Sequence, residues 1–224
     1  MRISSRRPWF HEVMLHANQP DPAETRRLLG EARAGDREAV EELFTRHRPY
    51  LRRLVEVRLD PQLRPRVDAS DVVQEAQLEA ARRLECYLQE PALPFRLWLR
   101  QLAYERLLML RRFHLRAARR SMGREVALPE RSALLLARQF VAAGSTPSQR
   151  LDRQELPRRV HRAVAKLPAI DREVLVMRTF EDLSYDEVAA LLGVDPAAAR
   201  KRHGRALLRL HKALSEDGLT ESHL

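Results

Sequence analysis

Apolar residues recur at three- and four-residue steps through most of the chain, the period of helices that each bury one stripe. The period begins near Thr25. Leu28, Leu29 and Ala32 precede a break at Gly35-Asp36, and Ala39, Val40, Leu43 and Phe44 resume it. Tyr50, Leu51, Leu54, Val55 and Leu59 follow Pro49, which either restarts or kinks the helix. Asp60-Pro61 and Arg64-Pro65 predict a loop. The next helix starts near Asp68 or Ser70, and either can cap it. Val73, Ala76, Ala80 and Leu84 form its stripe. Beyond Pro91 and Pro94, Phe95 opens another long helix. Leu99, Leu102, Ala103, Leu107 and Leu110 continue that helix's apolar side, with Arg106 in register.

The pattern then lapses. Residues 121 to about 150 include one short candidate helix, Leu134 to Val141, and an Ala-Gly-Ser-Thr-Pro-Ser break. This stretch reads as a flexible linker. A helix from Leu151 to Leu167, with Pro157 near its start or within it, leads into two shorter elements. The second runs from Ser184 to Leu192. There Gly193 suits a helix C-terminus that visits positive φ. Asp195 is a good N-cap, and Pro196 fits the first position of the next helix. Stopping and restarting within a few residues is the spacing of a helix-turn-helix. The restarted helix carries Arg200, Lys201, Arg202 and Arg205. The expected fold is all-α: an arm at 1–24, a helical domain at 25–120, the linker at 121–150, a second helical domain at 151–215 and a tail at 216–224.

Composition supports this and adds a partner. The chain has 224 residues with 44% hydrophobic content and only 7 glycines, enough for two small cores and biased towards helix. Its net charge of +10 suits a polyanion. Cys86 is the single cysteine, which excludes an intrachain disulfide and a cysteine zinc cluster; it is expected to be partly buried. The N-terminus has no apolar run of signal-peptide type, and no window approaches the roughly 18–20 apolar residues that span a bilayer. A cytoplasmic location without membrane contact follows as an expectation.

Two faces remain after the stripes are assigned. Asp71, Gln74, Glu75 and Leu78 share one side of their helix at i, i+3, i+4 and i+7. That is either a solvated face or a partner surface, and Leu78 among polar neighbours suits the latter. The helix after Phe95 carries Arg96, Arg100, Arg106, Arg111, Arg112, Arg116, Arg119 and Arg120, with Glu105 as the acidic exception. Phe95, Trp98, Tyr104 and Phe113 sit among them. Arginines interleaved with aromatics suit strands whose bases are unstacked, while Phe95 and Trp98 also read as core. Such arginine density would make binding salt-dependent.

Taken together, Leu167-Pro168, Asp171 to Leu175, Leu183-Ser184, Glu187 to Ala189, Leu192-Gly193, Arg202 and Arg205 to Leu207 resemble region 4 of bacterial sigma-70-type factors, especially the extracytoplasmic-function class. Asp71, Gln74 and Glu75, followed by Phe95 to Leu99 and the arginine helix, resemble region 2 of the same family. The resemblance covers roughly residues 25 to 215. It implies two partners: core RNA polymerase, met through its clamp and flap, and promoter DNA. It leaves room for an anti-sigma protein. It implies that Asp71, Gln74, Glu75 and Leu78 dock on the clamp. It implies that Arg100, Tyr104, Arg111, Arg112, Phe113, Arg116, Arg119 and Arg120 meet the −10 element. It implies that Ser184, Ala197, Ala198, Arg200, Lys201, Gly204 and Arg205 meet the −35 element.

The chain departs from the family pattern at Glu105, where Asn is common, and at Ala197-Ala198-Ala199, where Gly-Thr-Val is common. His203 reads as a packing histidine or a base contact. A stand-alone helix-turn-helix regulator explains residues 166 to 214 equally well, but not the other two faces. No phosphate loop, metal-ligand cluster or nucleophile–base arrangement stands out. No catalytic residue, cofactor or metal is therefore expected, and Asp182, Asp186 and Glu187 read as cap and helix-start charges.

Overall fold

The computed structural model describes residues 20–59, 63–117 and 155–216, though not the side chains of 114–117, 155–158 and 161. The linker, the candidate helix at 134–141 and the tail beyond 216 lie outside the described residues. The described residues form eight helices and no strand.

The N-terminal four build one bundle. Helix α1 spans Pro22–Arg33, α2 Arg37–Arg58, α3 Ala69–Gln89 and α4 Phe95–Ala117. Helix α1 begins three residues before the expected start at Thr25. Asp21 accepts a hydrogen bond from the Ala23 amide at 2.9 Å, and Pro22 occupies the first turn, where its missing N–H is no loss. Gly35, at φ 91°, turns the chain into α2, which Asp36 caps through the amides of Glu38 and Ala39. Pro49 neither ends nor restarts α2, which runs unbroken to Arg58. Asp68, rather than Ser70, caps α3 by accepting from the Ser70 amide at 2.7 Å.

The expected stripes form the core. Leu28, Leu43, Leu51, Leu54, Val73, Ala76, Ala80, Leu84, Leu99, Leu102 and Ala103 are all buried together. Helix α4 packs on α3 and α2, and α1 packs on α2. At one end lies an aromatic knot. Tyr87 and Trp98 stack at 4.4 Å between ring centroids, and Phe95 contacts both. Phe95 is therefore a core residue, and Trp98 packs half-buried against that core. The Tyr87 hydroxyl donates to the Leu93 carbonyl at 3.0 Å, closing the α3–α4 connection. Cys86 is exposed, not partly buried as expected; it lies on the polar side of α3, off the stripe.

The C-terminal bundle holds α5 (Glu155–Ala165), α6 (Ala169–Thr179), α7 (Tyr185–Leu192) and α8 (Pro196–Glu216). Val160, Val164, Leu167, Leu175, Phe180, Ala206, Leu210 and Leu214 form its main core. Asp171 is buried there and pairs with Arg209 of α8.

The two bundles meet along a seam. Leu97 of α4 is wholly buried, and its neighbours are Val174, Met177, Leu183, Val188, Ala189 and Ala199 of the C-terminal bundle rather than the core of its own half. Val57, near the end of α2, also packs against the C-terminal core.

His47 is buried beneath Phe95, their rings edge to face at 5.0 Å, and its Nδ1 lies 2.8 Å from the Leu43 carbonyl. Burial, with the neighbouring Arg96 and Arg46 charges, lowers its pKa to about 4 from the ordinary 6.5. Between those values the unfolded chain binds the proton and the folded chain does not, so stability falls as pH drops through that window. The loss should approach about 3 kcal/mol as pH falls to the folded value near 4. Urea titrations between pH 7 and pH 4 should show it, and His47→Gln should flatten the profile. A profile unchanged by His47→Gln would place the acid sensitivity elsewhere.

Candidate nucleic-acid interface

Helix α3 turns its stripe inward and presents Asp71, Gln74, Glu75 and Leu78 to solvent. Leu78 is 58% exposed. The sequence-predicted face is thus one contiguous surface on a rigid helix.

The arginine helix is not one continuous face. Sequence alone predicts a single exposed stripe, but α4 divides it. Towards its C-terminal end Arg112 and Phe113 are exposed, Phe113 at 71%, and Arg111 is half-buried. The Arg116 side chain, Arg119 and Arg120 lie outside the described residues. Towards its N-terminal end the side chains turn into the seam. Arg100 is only 3% exposed, which corrects the expectation of a solvent-facing side chain. The reason is geometric: Arg96 and Arg100 flank the buried Leu97 on the surface that α6 and α7 cover.

In the seam, Arg100 donates from Nε to Glu181 and from Nη2 to Glu173, the latter at 3.4 Å. Arg58, from the end of α2, donates to both Glu173 oxygens at 2.9 and 2.7 Å and also bonds Glu181. Two cations and two carboxylates therefore close on one another. Burial alone would raise the Glu181 pKa, but the Arg58 and Arg100 charges outweigh it and hold the carboxyl below its ordinary value. Tyr104 lies beside them, with the Arg58 guanidinium 4.6 Å and the Arg100 guanidinium 5.7 Å from its ring centroid. Arg96 pairs with Glu187 of α7. Sequence reading missed Arg58 and Glu181, which neither a motif nor a periodicity marks, and it placed Glu173 in the region 4 motif without assigning it a partner. Glu105 is partly exposed and lies 3.9 Å from Arg83.

The helix-turn-helix forms as its turn chemistry dictates. Ser184 accepts from the Glu187 amide at 3.1 Å, and Glu187 accepts from the Ser184 amide at 2.8 Å, a complete capping box. Gly193 takes φ 63°. Asp195 accepts from the Ala198 amide at 2.9 Å, and α8 starts at Pro196. Asp182 is not a cap; it takes φ 52° in the turn before α7.

On α8, Ala199, Ala206, Leu210 and Leu214 are buried, while Ala197, Arg200, Lys201 and Arg205 are exposed, with Ala198 and Gly204 beside them half-buried. The Tyr185 ring orders this surface. Arg178 lies 4.3 Å and Arg200 5.0 Å from its centroid, and its hydroxyl is 3.1 Å from His203 Nδ1. His203 is accordingly a packing histidine; burial, with help from Arg178, lowers its pKa to about 4. Among the described residues no group of three or more ligand side chains is placed to hold a metal.

Comparison with known proteins agrees with this geometry. Residues 158–210 match the family described as Sigma-70, region 4. The ECF RNA polymerase sigma factor SigD of Mycobacterium tuberculosis is 32% identical over 183 residues, 82% of this chain and 80% of that protein. The chain belongs to the ECF RNA polymerase sigma factors. RNA polymerase sigma factor CnrH of Cupriavidus metallidurans is 29% identical over 198 residues, 88% of this chain and 97% of that one. The solved structure of CnrH in complex with the cytosolic domain of CnrY covers 87% of this chain and 99% of its own, with a TM-score of 0.52 at 25% identity. In this sigma factor the region 4 match falls on α5 to α8. The SigD alignment is too long to fit in that bundle alone, so the kinship extends through the N-terminal bundle.

A side chain at Gly204 would meet nothing within 4 Å, so the fold of the sigma factor does not itself require this mid-helix glycine. Gly204→Ala should stabilise the chain by about 0.5–1 kcal/mol, read as a higher urea midpoint. A lowered midpoint would mean that the glycine serves the fold after all.

Proposed function

We propose that this sigma factor divides its work among three surfaces. It directs RNA polymerase in transcription. Asp71, Gln74, Glu75 and Leu78 dock on the polymerase clamp. Tyr104, Arg111, Arg112 and Phe113 hold the −10 strand, joined by Arg116, Arg119 and Arg120 of the same basic run. Helix α8 enters the major groove of the −35 element, with Arg200, Lys201 and Arg205 towards DNA and Gly204 allowing close approach. Ala197 and Ala198 meet apolar base edges such as the thymine methyl. Ser184 closes the N-terminus of α7, whose first amides lie near the phosphates. The observation that supports this most is the exposed Arg200–Lys201–Arg205 surface on a capped helix-turn-helix, in the same chain as the α3 face.

The chemistry of RNA synthesis belongs to the polymerase in this reading, and the chain itself needs no catalytic residue. No helix among the described residues is long and apolar enough to cross a membrane, and a cytoplasmic site of action fits the reading. An anti-sigma protein is a further proposed partner.

Purified protein added to core polymerase should give initiation at a defined promoter; no gain of promoter specificity would defeat the reading. Glu75→Arg should weaken core polymerase binding about tenfold or more in native gels, without changing the affinity of the protein for duplex −35 DNA. Arg205→Ala should lower the salt slope of duplex binding by about 1. An unchanged slope would remove Arg205 from the phosphate or base contacts.

A further inference from the structure

The helix-turn-helix holds one arginine in a way that its own helix cannot. Arg200 is exposed near the start of α8. Its neighbours one turn away on that helix are Pro196, Ala197, His203 and Gly204. All but His203 are too short to confine a long guanidinium side chain. Confinement comes instead from across the turn. The Arg200 guanidinium lies 5.0 Å from the centroid of the Tyr185 ring, at the first position of α7, within the range of a cation–π contact. The ring is itself held at two places. Its hydroxyl is 3.1 Å from Nδ1 of His203. Arg178, which donates to the Leu183 carbonyl, lies 4.3 Å from its centroid. His203 follows Arg200 by three residues, so Arg200, Tyr185 and His203 close a triangle between α7 and α8.

We propose that His203 is a positioning residue for promoter recognition. By bonding the Tyr185 hydroxyl it fixes the ring against which Arg200 rests, and so aims the Arg200 fork at the edge of one guanine. The proposal rests on the promoter reading above and adds to it two side chains, His203 and Tyr185, that set the specificity of another.

The chemistry of the surrounding surface makes such aiming necessary. Ala197 and Ala198 lead α8 without a hydrogen-bonding side chain, so base discrimination at this end falls to Arg200 and Lys201. Of the two, only arginine has a planar fork that can meet guanine O6 and N7 together. A free arginine must lose its rotamer freedom on binding, whereas one already resting on a ring has lost part of it beforehand. His203 suits the task because it is neutral. Burial lowers its pKa to about 4, so at neutral pH Nδ1 can accept the tyrosine proton without placing a third positive charge beside Arg178 and Arg200. An aliphatic side chain would fill the same half-buried space and leave the hydroxyl unheld. Tyr185 also packs against the cluster of Leu183, Val188 and Ala189. Loss of the hydroxyl bond therefore loosens the orientation of the ring and leaves the core in place.

The test uses holoenzyme reconstituted from the full chain and core polymerase. It captures duplexes from a random double-stranded DNA pool, and the captured sequences are counted. Arg200→Ala should abolish the preference for guanine at one base pair of the enriched −35 motif, a loss of about tenfold or more. His203→Leu should reduce the preference at that same base pair roughly threefold or more, the ordering cost of one long side chain, and leave the rest of the motif unchanged. Tyr185→Phe keeps the ring and lacks the hydroxyl. It should match His203→Leu, and the two together should lose no more than either alone. His203→Gln, which can still accept from the hydroxyl, should keep the parental preference. In an Arg200→Ala background His203→Leu should change nothing further. A purely structural role for His203 would weaken capture of every sequence alike, and that uniform loss overturns the proposal. So does an unchanged preference in both His203→Leu and Tyr185→Phe, a loss at a different base pair, or Arg200→Ala that leaves every preference in place. A parent holoenzyme that enriches no motif defeats the promoter reading and the proposal with it. An enriched motif indifferent to His203 and Tyr185 defeats the positioning role alone.

Discussion

Glu181 is held between two guanidinium groups where water hardly reaches, and the arrangement of the two bundles depends on that contact. A buried carboxylate is tolerated only when opposite charge and hydrogen bonds replace its lost hydration. Arg100 and Arg58 supply both, from the first turns of α4 and the last residue of α2. Arg58 in turn also needs Glu173. The four side chains form a closed set in which each satisfies another. Leu97 and Val57 lie on the same seam and exclude solvent from it, which strengthens the ionic contacts they surround.

The same stretch of α4 therefore has two environments to serve. As part of its own bundle it buries Phe95, Leu99 and Ala103, and this fixes its orientation on α2 and α3. Its other side carries Arg96, Leu97 and Arg100 to the seam. The two sides meet different demands. The outer one meets the carboxylates of the other bundle, and arginine suits them because its planar fork fits a carboxylate.

Much of this was legible in the sequence because it is local. A helix stripe such as Val73, Ala76, Ala80 and Leu84 is set by spacing alone, and all four residues are buried as the period requires. The turn from Gly193 to Pro196 was equally readable, since positive φ, capping and a proline at the first helical position are properties of adjacent residues. Pro22 at the head of α1 uses the same chemistry, but the neighbouring Pro20 and the polar arm hid it. The burial of Arg100 was not legible. Nothing near it in sequence distinguishes it from the exposed Arg112; its environment is decided by Glu181, far along the chain. Arg58 escaped notice for the same reason, since an arginine at a helix end reads as a favourable C-terminal charge until its distant partners are in view. The acidic and amide face on α3 was found by spacing, because a polar set opposite a strict apolar stripe has only solvent to face.

The two bundles are one covalent chain, joined through residues 118 to 154. Tethering makes contact between the bundles an intramolecular event. A seam too weak to join two separate molecules can then keep a single molecule shut, and dilution does not loosen it. The strength of the seam is consequently independent of how many copies the cell holds.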